Sequence, residues 1–228
     1  MVVAILGMHR SGTSCLTGLL EEAGLYLGEV SRKNPHNIKG NHENPKIVAL
    51  HEQVLASNQA RWDRPPPWGC LWLPEQLLEL KQIVDEHRKH DPCGFKDPRT
   101  LLTLEGWLET VPDLRLVATF RHPEAVARSL SARDRGELVE DYLRLWEHYN
   151  LRLLHFHDQF HFDLVCFDDP PQIYLENVTQ AAYHLGLTPR RFSFFEETLR
   201  HQRVESTLLL PTSIEELYLE LKNRALKP

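Results

Sequence analysis

The sequence predicts an α/β fold in three layers, with a mostly parallel central sheet and helices on both faces. Two observations lead to this prediction. Short apolar runs at 2–6, 114–120 and 162–167 have the composition of strands buried on both sides. Stretches with helical spacing of apolar residues follow these runs, and such alternation favours parallel strands joined by helical crossovers. We expect residues 1–228 to form one domain.

The other elements are predicted from helical periodicity and from the positions of glycine and proline. The first strand leads into a glycine-containing loop and a helix over 15–23, which Gly24 closes. Residues 29–44 are polar and form a long loop, and 94–99 is extended because the residue before a proline avoids the helical region. Further helices are predicted at 45–57, 74–90, 101–110, from 123 onward, 138–158, 171–185, 189–200 and 213–225.

Composition excludes several classes of function. The formal net charge of −6 gives no general attraction to nucleic acid or to anionic membranes. The four cysteines form no C-x-x-C pair, so neither a disulfide framework nor a zinc site is expected. Histidines at 155–161 could bind a metal, although core or solvated histidines are more common. No apolar run reaches the roughly 18 residues of a membrane span, so we expect a cytoplasmic protein.

The segment Gly7-Met8-His9-Arg10-Ser11-Gly12-Thr13-Ser14 has the spacing of a phosphate-binding loop but lacks its lysine. Thr13 stands where the G-x-x-x-x-G-K-[ST] pattern has that lysine, which contacts the β- and γ-phosphates in kinases. Backbone N–H groups and a helix N-terminus still favour an anion here, and Arg10 can supply the missing positive charge. The loop therefore predicts a phosphate site that does not serve phosphoryl transfer.

A second cluster of polar residues follows the strand at 114–120. Arg121 ends that strand and Ser129 lies about two turns into the next helix, so both can reach one phosphate. Arg200 and Arg203 form a third cluster, either a clamp on an outer phosphate or a solvated face. Since parallel strands end at one edge of a sheet, Lys96 and Arg121 should lie near the glycine loop. Two separate phosphate sites suggest a nucleotide with phosphates at both ends of its ribose.

These motifs together resemble those of one enzyme family. Residues 7–14 resemble the 5′-phosphosulfate loop of sulfotransferases that use 3′-phosphoadenosine 5′-phosphosulfate (PAPS), and 120–130 resembles their 3′-phosphate motif. The segments Lys96-Asp97-Pro98-Arg99 and Asn41-His42-Glu43-Asn44 are similar to a bacterial-type branch of the family. The resemblance implies a P-loop-like fold, PAPS as donor, 3′,5′-bisphosphoadenosine as product, and in-line transfer of a sulfuryl group without an obligatory metal.

The resemblance also implies roles for individual residues. Arg10, Thr13 and Ser14, with the N–H groups of the loop, would hold the 5′ side of the donor, and Arg121 and Ser129 its 3′-phosphate. His9 either faces the donor or occupies a free position. The complete expected donor site is His9, Arg10, Ser11, Gly12, Thr13, Ser14, Arg121, Ser129, Arg200 and Arg203.

The catalytic base is expected on the segment after the glycine loop, where related enzymes have a glutamate or histidine. Glu43 is the first candidate, ahead of His42 and His36, although a glutamate in the first turn of a helix can simply favour the helix dipole. Lys96 is a candidate second cation near the transferred group, or else a salt-bridge partner of Asp97. Asp97 and Arg99 could equally form a structural ion pair.

Two other functions compete with sulfuryl transfer. A P-loop kinase would need a magnesium-binding aspartate after an apolar strand, and Asp168 stands in such a position. A non-catalytic member of the fold would keep the binding site alone.

The acceptor could be a small molecule, a carbohydrate, a lipid or a carrier-bound chain. Trp62, Trp68 and Trp72 could line an apolar acceptor pocket or belong to the core. Oligomeric state is not predicted.

Overall fold

The structure is a computed structural model that describes residues 1–32, 39–133, 138–189, 192–196 and 208–227. In these residues there are four strands, β1 (Val2–Leu6), β2 (Cys93–Lys96), β3 (Leu114–Phe120) and β4 (Asp163–Cys166). Eight helices accompany them, α1 (Thr13–Glu22), α2 (Pro45–Ser57), α3 (Pro74–His87), α4 (Thr100–Thr110), α5 (Pro123–Arg133), α6 (Val139–Phe160), α7 (Pro171–His184) and α8 (Thr212–Arg224).

All four strands run parallel in one sheet, in the order β2-β1-β3-β4. In the register, Val2 lies opposite both Cys93 and Leu114, and Phe120 lies opposite Cys166. The loops that follow the four strands therefore leave the sheet at the same edge. Ligands of open parallel sheets bind at this carboxyl edge.

Helices cover both faces of the sheet, as predicted. Val3 and Ile5 of β1 point into a core layer with α1 and α7, while Val2, Ala4 and Leu6 point to the opposite layer. That second, larger layer receives apolar side chains from α2, α3, α4, α5, α6 and α8. Alternation of side chains along a strand makes a wholly apolar β1 necessary, because both of its faces are buried.

Most predicted elements are present, with shifts of a few residues at their ends. Helix α1 begins at Thr13, two residues earlier than predicted, because Gly12 already occupies the N-cap position. The extended stretch predicted at 94–99 overlaps β2, which begins one residue earlier and ends at Lys96. The helix predicted at 189–200 is wrong for residues 192–196, which have no helical structure, and most of its other residues lie outside the described part. No described helix is both long and apolar enough to cross a membrane.

Residues 192–196 instead pack as an irregular segment on α1. The N–H groups of Ser193 and Phe194 both donate to the carboxylate of Glu22, near the end of that helix. The Phe194 ring covers Gly18, where an added Cβ would lie 2.4 Å from the ring. The close approach of this ring therefore explains the glycine at position 18. The helical backbone of α1 would accept other residues there.

Replacing Gly18 with alanine should lower the free energy of unfolding by about 1–3 kcal/mol, the usual cost of overpacking. In a helix without this ring, the same change should stabilise by up to about 1 kcal/mol, because alanine has the higher helix propensity. We expect this reversal of sign in a Phe194→Ala background, measured by urea unfolding. Destabilisation by Gly18→Ala in both backgrounds would refute the role of the ring.

Candidate active site

The glycine loop between β1 and α1 depends on two close approaches. Gly7 has φ 146°, and a Cβ there would lie 2.5 Å from the carbonyl oxygen of Thr119 on β3. Gly12 has φ 85°, and its Cβ would lie 2.2 Å from the ring of Phe167. No side chain fits at either position, so the spacing of these glycines lets the loop pass close to β3 and to the residues after β4.

The loop ends at the N-terminus of α1, where N–H groups of the first turn lack partners within the helix. The hydroxyl of Ser11 is buried and has no hydrogen-bond partner among the described residues. A buried polar atom without a partner in a native structure points to a ligand, a water or a functional role. This loop therefore has the donors that a phosphate or sulfate group requires.

The side chain of Arg10 joins the glycine loop to the second predicted motif. Its Nε donates to the hydroxyl of Ser129 on α5 over 2.8 Å, although the two residues are 119 positions apart. The contact places the guanidinium of Arg10, which is expected at the 5′ side of the donor, beside Ser129, which is expected at the 3′-phosphate. The backbone of Arg10 is in the left-handed region, with φ 66°, where this contact forms.

Arg121 lies directly after β3 and completes the group. Its Nη1 contacts the carbonyl of Arg10 at 3.5 Å, and its guanidinium stacks over the ring of Phe167. Asp168, after β4, accepts from Arg121 Nε at 3.4 Å and from the N–H of His122 at 2.5 Å. Asp168 thus orients Arg121. Its position after an apolar strand is visible in the sequence, but only the pairing of β3 with β4 makes Asp168 a partner of Arg121.

Glu43 and Lys96 form an ion pair close to the same edge of the sheet. The two side chains meet with Lys96 Nζ 2.7 Å from Glu43 Oε1, and both are buried or nearly so, at 2% and 16% exposure. Burial lowers the pKa of Lys96, and the charge of Glu43 opposes this shift. The ion-pair partner of Lys96 is therefore Glu43, and not Asp97, which was the alternative expected from the sequence. Asn44 is the N-cap of α2, so Glu43 precedes the helix and is not in its first turn.

The segment with Glu43 contacts the glycine loop directly. Ser14 Oγ donates to the carbonyl oxygen of Asn41 at 3.2 Å. His42 turns away, because its Nε2 lies 2.9 Å from the carbonyl oxygen of Lys39 and its Nδ1 lies 3.4 Å from Glu21 at the end of α1. Burial lowers the pKa of His42. The structure therefore brings Glu43, and not the ring of His42, to Lys96.

Three predicted site residues cannot be placed. His36, Arg200 and Arg203 lie outside the described residues.

The three tryptophans do not share one environment. Trp62 lies next to the loop, while Trp72 donates to the carbonyl of Thr103 and Trp68 lies half-exposed against His155 on α6.

His9 packs into the protein interior beside the loop. Its ring lies 4.6 Å from Trp62 and 6.2 Å from Tyr149, centroid to centroid. Its Nε2 is buried and has no hydrogen-bond partner in the described part of the chain. Burial, assisted by the charge of Arg99, lowers the pKa of His9 well below its ordinary value. The imidazole is therefore neutral at neutral pH.

Comparison with known proteins identifies the family and the fold of this chain. The model of the sulfotransferase family matches residues 3–168, which include the glycine loop, Glu43, Lys96, Arg121 and Asp168. The chain belongs to the sulfotransferase family. No curated protein matches the sequence of this sulfotransferase.

Solved structures show that this sulfotransferase has the fold of the family. The sulfotransferase domain from the curacin biosynthetic pathway superposes with a TM-score of 0.60 at 14% identity, covering 99% of this chain and 98% of that one. The sulfotransferase domain of the Synechococcus PCC 7002 olefin synthase gives 0.52 at 16% identity, with coverages of 97% and 93%. A sulfotransferase from Alicyclobacillus acidocaldarius gives 0.51 at 15%, with 97% and 91%.

The lowered pKa of the partly buried His9 makes stability depend on pH. Below about pH 6.5 the unfolded chain protonates His9 while the folded protein does not, so stability should fall as pH is lowered through this window. One proton that binds only the unfolded chain lowers the free energy of unfolding by up to ~1.4 kcal/mol per pH unit. Urea unfolding at pH 7.5, 6.5 and 5.5 should show a steeper loss in the wild type than in His9→Asn. Equal slopes would contradict the neutral buried state.

Proposed function

We propose that this sulfotransferase transfers a sulfuryl group from PAPS to a hydroxyl or amine acceptor by in-line displacement. The observation that supports it most is the contact between Arg10 Nε and Ser129 Oγ at 2.8 Å. This contact unites the phosphosulfate-type loop and the 3′-phosphate-type motif in one site. A nucleotide with phosphate groups on both sides of its ribose fits two adjacent anion sites of this kind.

The residues present fit such a donor. The N–H groups at the start of α1 and the hydroxyl of Ser11, which has no partner among the described residues, suit the 5′-phosphosulfate. Arg10, Arg121 and Ser129 suit the 3′-phosphate, because arginine binds phosphate with paired hydrogen bonds. When bound, the donor supplies an activated sulfuryl group, and 3′,5′-bisphosphoadenosine retains the electron pair of the broken sulfur–oxygen bond.

Glu43 is the base of the proposed reaction. Its carboxylate accepts the proton of the acceptor as the acceptor oxygen or nitrogen bonds to sulfur. Its place on the segment that contacts Ser14 of the glycine loop through Asn41 supports this role. The contact with Lys96 fixes one carboxylate oxygen and leaves the other for the acceptor.

Lys96 is the second cation. Its ammonium lies in a nearly water-free position, where a charge interacts more strongly with developing negative charge than it would in water. In the proposed reaction it stabilises the oxygens around the transferred sulfur. It also holds Glu43 in the orientation needed to face the acceptor.

The environment of Asp168 argues against a kinase. A magnesium-binding aspartate must present free carboxylate oxygens to the ion. Both oxygens of Asp168 are engaged, one by Arg121 and the other by the N–H of His122.

The ion pair of Glu43 and Lys96 favours catalysis over a purely binding role, because donor binding alone does not need a buried carboxylate at this place.

The donor assignment predicts selective binding. Thermal shift should show stabilisation by 3′,5′-bisphosphoadenosine and not by ATP with Mg²⁺. Arg121→Ala should weaken bisphosphate binding by about 1.5–3 kcal/mol, the value of hydrogen bonds to a charged group. Arg115→Ala is the matched control, since Arg115 lies exposed near the other end of β3. Stabilisation by ATP with Mg²⁺ alone, or unchanged affinity in Arg121→Ala, would contradict the assignment.

The assignment of the base predicts a separation of turnover from donor binding. Glu43→Gln should lower transfer of label from radiolabelled PAPS into an extract of the source organism by about 10²–10⁴-fold, the contribution of general-base catalysis. Affinity for 3′,5′-bisphosphoadenosine should remain. Glu29→Gln, at an exposed position of the preceding loop, is the control. Turnover of Glu43→Gln close to that of this control would remove Glu43 from the role.

A further inference from the structure

The segment Lys96-Asp97-Pro98-Arg99 contacts the segment 43–52 through two ion pairs and one hydrogen bond between side chains. Lys96 pairs with Glu43 at 2.7 Å, as described above. Asp97 Oδ2 lies 2.8 Å from His51 Nδ1, and Arg99 Nε donates to Glu52 Oε1 over 2.6 Å. We name Asp97, Arg99 and their partners His51 and Glu52 the clamp. The clamp joins the residues after β2 to α2, the helix that follows Glu43.

The protonation of His51 follows from its second neighbour. The indole of Trp107 donates to His51 Nε2 over 2.8 Å, and an indole N–H can only donate. His51 Nε2 is therefore an acceptor, so Nδ1 carries the hydrogen and donates it to Asp97. Both His51 and Asp97 are fully buried. This hydrogen bond thus has one defined direction and no competing water.

Asp97 is held from two sides. Its Oδ1 accepts the backbone N–H of Arg99 at 3.0 Å and Arg99 Nη1 at 2.9 Å, while Oδ2 accepts from His51. Burial alone would raise the pKa of Asp97, but the bond from His51 and the charge of Arg99 hold it well below its usual range. A buried carboxylate with its oxygens satisfied in this way is a rigid anchor.

Helix α2 transmits the position of the anchor to Glu43. His51 and Glu52 lie about two turns from the N-cap, Asn44, whose side chain accepts the N–H of Lys46 at 2.9 Å. Glu43 precedes this capped end, and its carbonyl accepts the N–H of Ser31 at 2.9 Å. A displacement of α2 along β2 would therefore move Glu43 relative to Lys96.

We propose that Asp97 and Arg99 are positioning residues for Glu43, which act through His51 and Glu52 to fix α2 against the end of β2. The proposal rests on the proposed function for the role of Glu43. The clamp itself does not depend on which donor binds. The clamp adds two contacts beside the contact of Glu43 with Lys96, which by itself joins positions 53 residues apart through a single hydrogen bond.

The test compares variants on α2 by the reactivity of Lys96 and by turnover. His51→Leu removes the donor to Asp97, whereas His51→Asn keeps an N–H near the position of Nδ1. Glu52→Gln removes the charge that faces Arg99. Glu86→Gln is the matched control, because Glu86 also pairs with a residue of α2, Lys46, on an exposed surface away from the site. Acylation of Lys96 by acetic anhydride is followed by mass spectrometry on the full chain.

We expect Lys96 to be acylated about fivefold or more faster in His51→Leu and Glu52→Gln, because each loses one bond that resists local opening. Wild type, His51→Asn and Glu86→Gln should stay protected. Turnover of radiolabelled PAPS with the extract should fall in the first two variants, while affinity for 3′,5′-bisphosphoadenosine remains. The rescue by His51→Asn separates a positioning role from general loss of packing.

Unchanged protection of Lys96 in Glu52→Gln, or equal loss of protection in Glu86→Gln, would overturn the proposal. Failure of His51→Asn to restore protection would overturn it as well. If His51→Leu does not fold, Glu52→Gln decides, since Glu52 is half-exposed and its replacement leaves no cavity. Failure of 3′,5′-bisphosphoadenosine to bind the wild type would refute the donor alone, because acylation of Lys96 reports on the clamp without a donor.

Discussion

The parallel register of the four strands is the constraint on which the candidate site depends. Because β1, β2, β3 and β4 run in one direction, the residues that follow them leave the sheet at one edge. The glycine loop follows β1, Asp97 and Arg99 of the clamp follow β2, Arg121 follows β3, and Asp168 follows β4. Reversing any one strand would move its polar residues to the opposite edge. The site therefore depends first on the parallel sheet, and only then on individual hydrogen bonds between its residues.

Several charged groups of this edge are buried, and burial of a charge is unfavourable unless the charge is paired. Lys96 with Glu43, Arg121 with Asp168, and Asp97 with His51 and Arg99 meet this condition. Such pairs add little net stability, since the loss of hydration offsets their attraction. Their benefit is geometric. Each fixes the direction of a side chain that needs one orientation toward an anion or a proton.

Close approach of backbone and rings sets the shape of the loop. Gly7 and Gly12 permit contacts that no other residue allows at those positions, with Thr119 and with Phe167. The same Phe167 stacks under Arg121, so one ring fixes both the loop and the arginine. The anion donors of the loop are positioned by packing from β3 and β4.

Local patterns in the chain were enough to predict the strands at 2–6 and 114–120, the glycine loop, and the motif of Arg121 with Ser129, because each depends on neighbours within one or two turns of chain. They also indicated Glu43 and Lys96 as candidates, without joining them. The contacts of Arg10 with Ser129, of Asp168 with Arg121, and of His51 with Asp97 follow from the packing of distant elements. These contacts join residues 46 to 119 positions apart. They depend on the order of strands in the sheet and on the direction of each side chain, which local patterns do not specify.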